Sequence, residues 1–289
     1  MKQTDIIMHV NYCEQGQTLS AICHNAVKWG FDGVEFRRKR NGVDETLADY
    51  LDNLEKAINE AGLQKIYFGS PGPNLMQEDA AARQQEVESY IDFLGQAKTR
   101  FGATFFNTFS GPLRNPDPSV PYTACDKQGS GTAGEEHYQW AAEGFREIAR
   151  FAEAEGLTLA FETHSSYLHD LPAPTKKLVD AIASTAVGVN FDFCNMQVFP
   201  QPIGLAEAVD TLDDSIFYLH LKNLYRLPPG GYIMTSLAEG QINNRDLLRR
   251  VFEKGYNGPI GIEAPRQGDR EWFAREDLAY LKSLLADLV

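Results

Sequence analysis

The chain has 289 residues, of which 43% are hydrophobic, and a formal net charge of −13. This length fits either two ordinary domains or one large one, since α/β barrels of about 250 residues fold as a single unit. An acidic surface repels phosphate backbones, so the charge disfavours a nucleic-acid partner. No apolar run reaches about 18 residues, so neither a membrane-spanning helix nor a membrane partner is predicted.

The N-terminal residues and the cysteines predict a cytoplasmic protein. The segment "MKQTDIIMHVNYCEQGQ" has no basic stretch followed by an apolar one, so no secretory signal is expected. The cysteines form no Cys-x-x-Cys pair and no disulfide-like framework, which indicates reduced thiols. They are Cys13, Cys23, Cys125 and Cys194.

One local pattern recurs along the chain: a helical stretch ends in a glycine, and an apolar run follows almost at once. These runs are rich in Val, Ile, Phe and Tyr and alternate little, which is typical of strands buried on both faces of a parallel sheet. We predict strands near residues 5–11, 31–37, 63–69, 103–109, 157–163, 187–193, 216–222 and 258–264. Helices are predicted near 18–29, 44–61, 78–99, 135–155, 174–184, 203–213, 244–254 and 272–287. The glycines expected to end helices in the left-handed conformation are Gly30, Gly62, Gly102, Gly156 and Gly255.

Eight strand–helix alternations predict α/β architecture, with residues 1–289 forming a single (β/α)₈ TIM barrel. An open doubly wound sheet lacks support, because no GxGxxG or phosphate-binding glycine loop follows a predicted strand. Two predicted strand-to-helix connections are long, at about residues 110–136 and 223–242. In a barrel both lie on the C-terminal face, where substrate-binding loops are found.

Polar residues stand at the ends of the last four predicted strands, after mostly apolar positions. They are Glu162, Asp192, His220 and Glu263. Burying three converging carboxylates without partners is very costly, and a shared divalent cation removes that cost. An oxygen-rich set with one imidazole favours Mn²⁺, Mg²⁺ or Co²⁺ over a thiolate-type zinc site.

The segments "LAFETH", "VGVNFDFCN", "YLHLKN" and "GIEAP" have the order and spacing of strands five to eight in a known family. The chain resembles the xylose isomerase-like TIM barrels, in particular the sugar phosphate isomerase/epimerase group that includes D-tagatose and D-psicose 3-epimerases. The resemblance implies that Glu162, Asp192, His220 and Glu263 bind one divalent cation, with Mn²⁺ expected before Mg²⁺ or Co²⁺. It also implies that Glu162 and Glu263 are the acid/base catalysts and that the protein is a homo-oligomer.

Asn195 and Arg226 are two further positions that can be compared with this family. Its epimerases usually have a substrate-contacting histidine where this chain has Asn195, which can hydrogen-bond a hydroxyl but cannot carry a proton. Arg226 falls where the ketose epimerases place an arginine, so both residues are candidates for substrate binding.

The family's endonuclease IV branch uses three zinc ions and many histidines. This chain has six histidines, and a trinuclear nuclease is not expected.

Side chains two residues beyond two of the proposed ligands are expected to face the barrel mouth as well. His164 follows Glu162, and Lys222 follows His220, at this spacing. Both are candidates for substrate contact. The alternatives are that His164 orients a metal ligand and that Lys222 pairs with a carboxylate.

Strand two ends in "GVEFRR", which makes Glu35 another candidate for substrate binding. The alternative is a salt bridge from Glu35 to Arg37 or to a neighbour. Asn107 and His9 are weaker candidates, and structural roles are more typical of such positions.

Together these residues predict a divalent-metal-dependent sugar isomerase or epimerase. It would move a proton α to a carbonyl of a ketose or keto-sugar through an enediolate. The alternative is a metal-dependent lyase or dehydratase acting on an inosose or a 3-keto-glycoside, because the same enediolate expels a leaving group at the β carbon. A non-catalytic sugar-binding barrel is disfavoured because all four ligand positions are filled.

Overall fold

The computed structural model describes residues 4–40, 42–228 and 231–288. Eight parallel strands close into a barrel, which confirms the predicted (β/α)₈ fold. The barrel strands are β1 (Ile6–His9), β2 (Gly33–Arg37), β3 (Lys65–Gly69), β4 (Phe105–Thr108), β5 (Thr158–Glu162), β6 (Val187–Phe191), β7 (Ile216–Leu221) and β10 (Ile260–Ile262). A separate antiparallel hairpin consists of β8 (Leu224–Arg226) and β9 (Tyr232–Met234).

Helices follow the strands and form the outer layer. Within the described residues they are α1 (Leu19–Trp29), α2 (Leu47–Ala61), α3 (Ala80–Phe101), α4 (Glu135–Glu155), α5 (Pro172–Ile182), α6 (Phe193–Met196), α7 (Leu205–Leu212), α8 (Asn244–Glu253) and α9 (Arg270–Leu288). The five glycines predicted to end helices all have positive φ, between +64° and +90°. None of the described helices is long and apolar enough to cross a bilayer.

Alternate residues of the strands fill two different spaces, as expected for a period of two. Phe68 and Phe106 face outward and pack on Phe93 of α3, with ring centroids 5.2 and 6.3 Å from it. Their neighbours Tyr67 and Phe105 face inward, and both pack on Tyr218. Phe105 and Tyr67 lie 5.1 Å apart, and Tyr218 lies 5.2 Å from Phe105 and 5.8 Å from Tyr67. We call Tyr67, Phe105 and Tyr218 the aromatic floor.

Several predicted boundaries need correction. The strands are shorter than predicted: β1 ends at His9 and passes into a 3₁₀ turn, Val10–Cys13, and β10 contains only Ile260–Ile262. The connection at 223–242 is not wholly irregular, since it contains the β8–β9 hairpin. Helix α6 was not predicted, because four residues are too few to show a helical period.

The connection at 110–136 is anchored by Asp170, a fully buried residue that follows β5. The Asp170 Oδ2 atom accepts a hydrogen bond from the backbone N–H of Ser130 at 3.0 Å. The preceding Gly129 has a φ of +51°, and a Cβ there would lie 2.5 Å from Asp170 Oδ2. Burial raises the pKa of Asp170 to about 7, against the opposing effect of the Ser130 hydrogen bond.

We expect Asp170→Asn to reduce the pH dependence of stability between pH 5 and pH 8. The unfolded carboxyl ionises near its ordinary pKa of 3.8, whereas the folded one stays protonated up to about pH 7. The free energy of unfolding therefore falls as pH rises through this window, and this group contributes about 2–3 kcal/mol to that loss. Denaturant unfolding at both pH values should show a larger loss for the wild type than for the variant. Equal losses would contradict a buried, protonated Asp170.

Candidate metal centre and active site

Four polar side chains from neighbouring strands converge at the C-terminal end of the barrel. Glu162 ends β5, Asp192 directly follows β6, His220 lies in β7 and Glu263 directly follows β10. One potential ligand atom from each lies within 4.8 Å of the others. All are buried except Glu263, whose side chain is 13% exposed. The structure thus brings together the four residues that the sequence marks as metal ligands.

The donor set fits a divalent cation. Asp192 Oδ2, His220 Nδ1 and Glu263 Oε2 are buried and have no hydrogen-bond partner. The Lys222 ammonium lies 2.9 Å from Asp192 Oδ2 and 2.8 Å from Glu263 Oε2, and His220 Nδ1 lies 3.0 Å from Glu263 Oε2, but these ion pairs lack hydrogen-bond geometry. Buried polar atoms without hydrogen bonds are costly, and a coordinated cation would satisfy all three. Carboxylate oxygens with one imidazole nitrogen suit ions such as Mn²⁺ or Mg²⁺.

Glu35 lies directly beneath the quartet and contacts His220. Its Oε2 atom is 2.8 Å from His220 Nε2 and 2.9 Å from the Tyr218 hydroxyl, and its Oε1 accepts a hydrogen bond from Asn107 at 2.9 Å. Burial acts to raise the pKa of Glu35, but His220 outweighs it and lowers the pKa, so this carboxylate accepts hydrogen bonds. His220 Nε2–H therefore donates to Glu35, and Nδ1 is left to face the quartet.

The ion-pair partner of Glu35 is His220, a neighbour in the barrel, which is one of the alternatives considered for it in the sequence. The Glu35 side chain is 0% exposed. Arg37 is not its partner, because the Arg37 guanidinium pairs with Glu14 at 2.8 Å. Gly261 in β10 is needed nearby, since a Cβ there would lie 2.5 Å from the Tyr218 hydroxyl oxygen and 2.7 Å from His220 Cδ2.

The carboxylates outnumber the cations in this site. Burial acts to raise the pKa values of Glu162 and Glu263, but Lys222 and His220 outweigh it and hold both well below their usual range. Burial raises the pKa of Asp192 despite the nearby Lys222. With Glu35 included, four carboxylates face one ammonium and two imidazoles, since His9 lies 3.8 Å from Glu35 Oε1 and 3.9 Å from Glu263 Oε1. This excess of negative charge is what a divalent cation would compensate.

Amide groups fix the orientation of the two glutamates. Asn195 Nδ2 donates to Glu162 Oε1 at 3.0 Å, and Asn107 Nδ2 donates to Glu162 Oε2 at 2.8 Å. Asn11 Nδ2 donates to Glu263 Oε1 at 2.7 Å. Asn11 was not predicted, because the β1 pattern was extended through it and its partner is 252 residues away in sequence.

His164 and Arg226 do not contact the quartet in the part of the chain that the structure describes. The His164 Nδ1 atom lies 2.9 Å from the Ser165 carbonyl, and its ring packs edge-on against Tyr167. Strand β5 ends before His164, so the alternation that would aim it into the mouth no longer holds. Arg226 lies in β8 and donates to the Pro200 carbonyl at 3.2 Å.

Sequence reasoning missed His169, which fastens the end of β5. It is fully buried, and burial lowers its pKa to about 4. The neutral ring donates from Nδ1 to the Glu162 carbonyl, and its Nε2 accepts from the Ser110 N–H at 3.1 Å. His169 thereby holds the backbone of Glu162 against the connection that follows β4. No periodicity predicts this contact, because His169 lies outside any regular element.

The sequence and the fold are similar to those of known proteins. The sequence matches the family described as "Xylose isomerase-like TIM barrel" over residues 23–284. A xylose isomerase-like TIM-barrel protein from Mycobacterium smegmatis, in complex with magnesium, is similar with a TM-score of 0.75 and 19% identity, over 99% of this chain and 98% of that chain.

Two solved epimerases are also similar. D-psicose 3-epimerase in the presence of D-fructose gives a TM-score of 0.73 at 16% identity, over 97% of this chain and 99% of that chain. The apo form of 3-keto-D-glucoside 4-epimerase from E. coli gives 0.71 at 15% identity, over 97% and 100%. Identities this low show a shared fold alone. No curated protein sequence shows a significant match to this chain.

Proposed function

The chain belongs to the xylose isomerase-like TIM-barrel family, and from this membership we propose that it is a divalent-metal-dependent sugar isomerase or epimerase. Its substrate would be a ketose or keto-sugar. The observation that carries the proposal is the convergence of Glu162, Asp192, His220 and Glu263, whose buried donor atoms form ion pairs but lack hydrogen-bond partners. The magnesium complex of a structure with the same fold supports a divalent cation in such a barrel.

Glu162 and Glu263 are the proposed proton carriers. One removes the proton α to the substrate carbonyl, and the other returns a proton from the opposite face, which inverts the carbon. Lys222 keeps both glutamates ionised, and the amides of Asn195 and Asn11 keep them oriented. A divalent cation bound by the quartet would supply Lewis-acid stabilisation of the negative charge that develops on the substrate oxygens.

The remaining polar residues take supporting roles in this proposal. Glu35 orients His220 so that Nδ1 faces the cation site. Lys222, whose ammonium lies 3.6 Å from Glu162 Oε1, is placed to contact a negatively charged substrate oxygen. Asn195 is proposed to exchange its contact with Lys222, 3.3 Å away, for a substrate hydroxyl. Arg226 is proposed to reach the substrate from the hairpin.

A direct test combines metal analysis with isotope exchange. The purified protein should contain about one divalent ion per chain after loading with Mn²⁺ or Mg²⁺. Incubated with candidate ketoses and 3-keto-sugars in D₂O, it should incorporate deuterium at the carbon next to the carbonyl. Less than about one tenth of an ion per chain, or no exchange with any α-hydroxy ketone, would overturn the proposal.

A lyase is the second candidate, and the position of Lys222 favours it. Its ammonium lies within 3.6 Å of Glu162, Asp192 and Glu263, where an acid could protonate a group leaving from the β carbon. The D₂O experiment separates the two reactions. Epimerisation replaces hydrogen by deuterium and leaves the substrate's composition otherwise unchanged, whereas elimination releases water or an aglycone.

A further inference from the structure

A cavity of about 410 Å³ lies on the C-terminal face, beside the proposed metal centre. Its walls come from the connections that follow β2, β3, β4 and β5, and they include Lys39, Arg40, Ser70, Asn74, Phe109 and Tyr167. A neighbouring cavity of about 350 Å³ shares Lys39, Arg40 and Pro71 with it and adds Arg38 and Glu45. We call the two cavities together the basic groove. Each lies within the size range of small-molecule sites.

The groove is cationic in a protein whose net charge is −13. Its charged wall comes from Arg38, Lys39 and Arg40, and Glu45 is the only carboxylate found in the described lining. Arg40 pairs with Glu45 at 2.5 Å, and Arg38 donates to the Ser89 hydroxyl at 2.7 Å. Lys39 is exposed and has no ion-pair partner within the described chain. The groove therefore keeps an uncompensated ammonium.

The end of strand β3 connects the groove to the residues that support the metal centre. Ser70 follows Gly69, the last residue of β3, and a Cβ on Gly69 would lie 2.4 Å from Glu35 Oε1. The Arg37 guanidinium donates to the Ser70 hydroxyl at 2.9 Å and links the two regions. Gly69, which lies against the Glu35 carboxylate, and Ser70, which lines the groove, are therefore consecutive residues.

The opposite wall is aromatic and also adjoins the centre. The Phe109 and Tyr167 rings pack with centroids 4.9 Å apart, and Tyr167 packs against His164 at 5.5 Å. Burial raises the pKa of Tyr167 to about 12, and the Glu162 carboxylate acts in the same direction, as expected for neighbouring groups. A chain of sugar carbons leaving the centre here would meet the rings of Phe109 and Tyr167 and the cations of the groove.

We propose that the basic groove binds an anionic group, phosphate or carboxylate, at the end of the substrate that is distal to its carbonyl. Lys39 supplies the charge, Ser70 and Asn74 supply polar contacts, and Phe109 and Tyr167 pack against the intervening carbons. The proposal rests on the proposed function for the position of the carbonyl. It narrows the substrate class to sugars with a negatively charged terminus.

Calorimetric titration of the metal-loaded protein with glucose 6-phosphate and with glucuronate, at low ionic strength, tests the groove without requiring turnover. Lys39→Gln is expected to weaken binding of the preferred anion about tenfold, as the loss of one charge-assisted hydrogen bond implies. Lys28→Gln is the matched control, because Lys28 is an exposed lysine on the outer helix α1. That variant should bind like the wild type.

Each outcome decides the question. Tighter binding of glucose 6-phosphate with dependence on Lys39 assigns a phosphosugar, and tighter binding of glucuronate with the same dependence assigns a sugar acid. The proposal is overturned if neither anion binds saturably, if Lys39→Gln binds as tightly as the wild type, or if both lysine variants weaken binding equally. Binding that depends on Lys39 without deuterium exchange would overturn the proposed reaction and leave the groove standing.

Discussion

Glu162→Gln is expected to lower deuterium exchange into substrate by roughly 10²–10⁴-fold, the usual contribution of a positioned acid or base. Glutamine keeps the volume of the side chain but cannot accept the substrate proton. The folded state should persist, because the change removes one negative charge from a cluster that has too many. Exchange rates measured under saturating metal, together with circular dichroism, test both parts.

Glu143→Gln provides the matched control for this experiment. Glu143 is exposed on the outer helix α4 and has no ion pair in the described structure. It should exchange deuterium at the wild-type rate. Near-normal exchange in Glu162→Gln would remove this residue from the proposed chemistry.

Glu35→Ala is expected to lower the affinity for Mn²⁺ by about 10–100-fold, as loss of the partner of a metal-binding histidine usually does. It should also lower the free energy of unfolding by about 3 kcal/mol or more. The change leaves the Tyr218 hydroxyl and His220 Nε2 without their acceptor inside the barrel, and it removes one of the two acceptors of Asn107 Nδ2. Calorimetric metal titration and denaturant unfolding measure the two effects separately.

Glu35→Gln distinguishes orientation from mere packing. It keeps one acceptor oxygen for the Tyr218 hydroxyl and His220 Nε2 but turns a donor NH₂ toward the Asn107 amide, so it should recover part of the lost stability and part of the metal affinity. If Glu35→Ala binds Mn²⁺ as tightly as the wild type, Glu35 does not position His220.

The barrel could be predicted because each of its signals is local. The glycines at helix ends and the apolar runs after them lie within a few residues of one another, and Gly30 and Gly156 adopt the expected positive φ. The convergence of the quartet follows from the fold itself, since parallel strands deliver their C-terminal ends to one mouth. The fold alone is therefore enough to predict that Glu162 and Asp192 lie close together.

The supporting contacts could not be predicted, because their partners are distant in sequence. Asn11 and Glu263 are 252 residues apart, and Glu35 and His220 are 185 apart. No spacing or period in the sequence predicts such pairs, because their proximity depends on closure of the barrel.

The same spacing argument gave different outcomes for Lys222 and His164. Each lies two residues beyond a proposed ligand. Strand β7 continues to Leu221, so Lys222 still faces the mouth and approaches Asp192 at 2.9 Å. Strand β5 stops at Glu162, two residues before His164, and a turn begins directly after it at Ser165. A one-residue difference in where a strand ends lies within the uncertainty of any boundary drawn from sequence.

The aromatic floor has a consequence for the order of events. Tyr218 packs against His220 with centroids 4.9 Å apart, and Tyr67 and Phe105 fill the barrel beside it, so the quartet is sealed from below. On the proposed function, a cation held by Glu162, Asp192, His220 and Glu263 would lie deeper than the sugar and share its entrance at the mouth. The ion would therefore have to bind before the sugar, and it could leave only after the product departs.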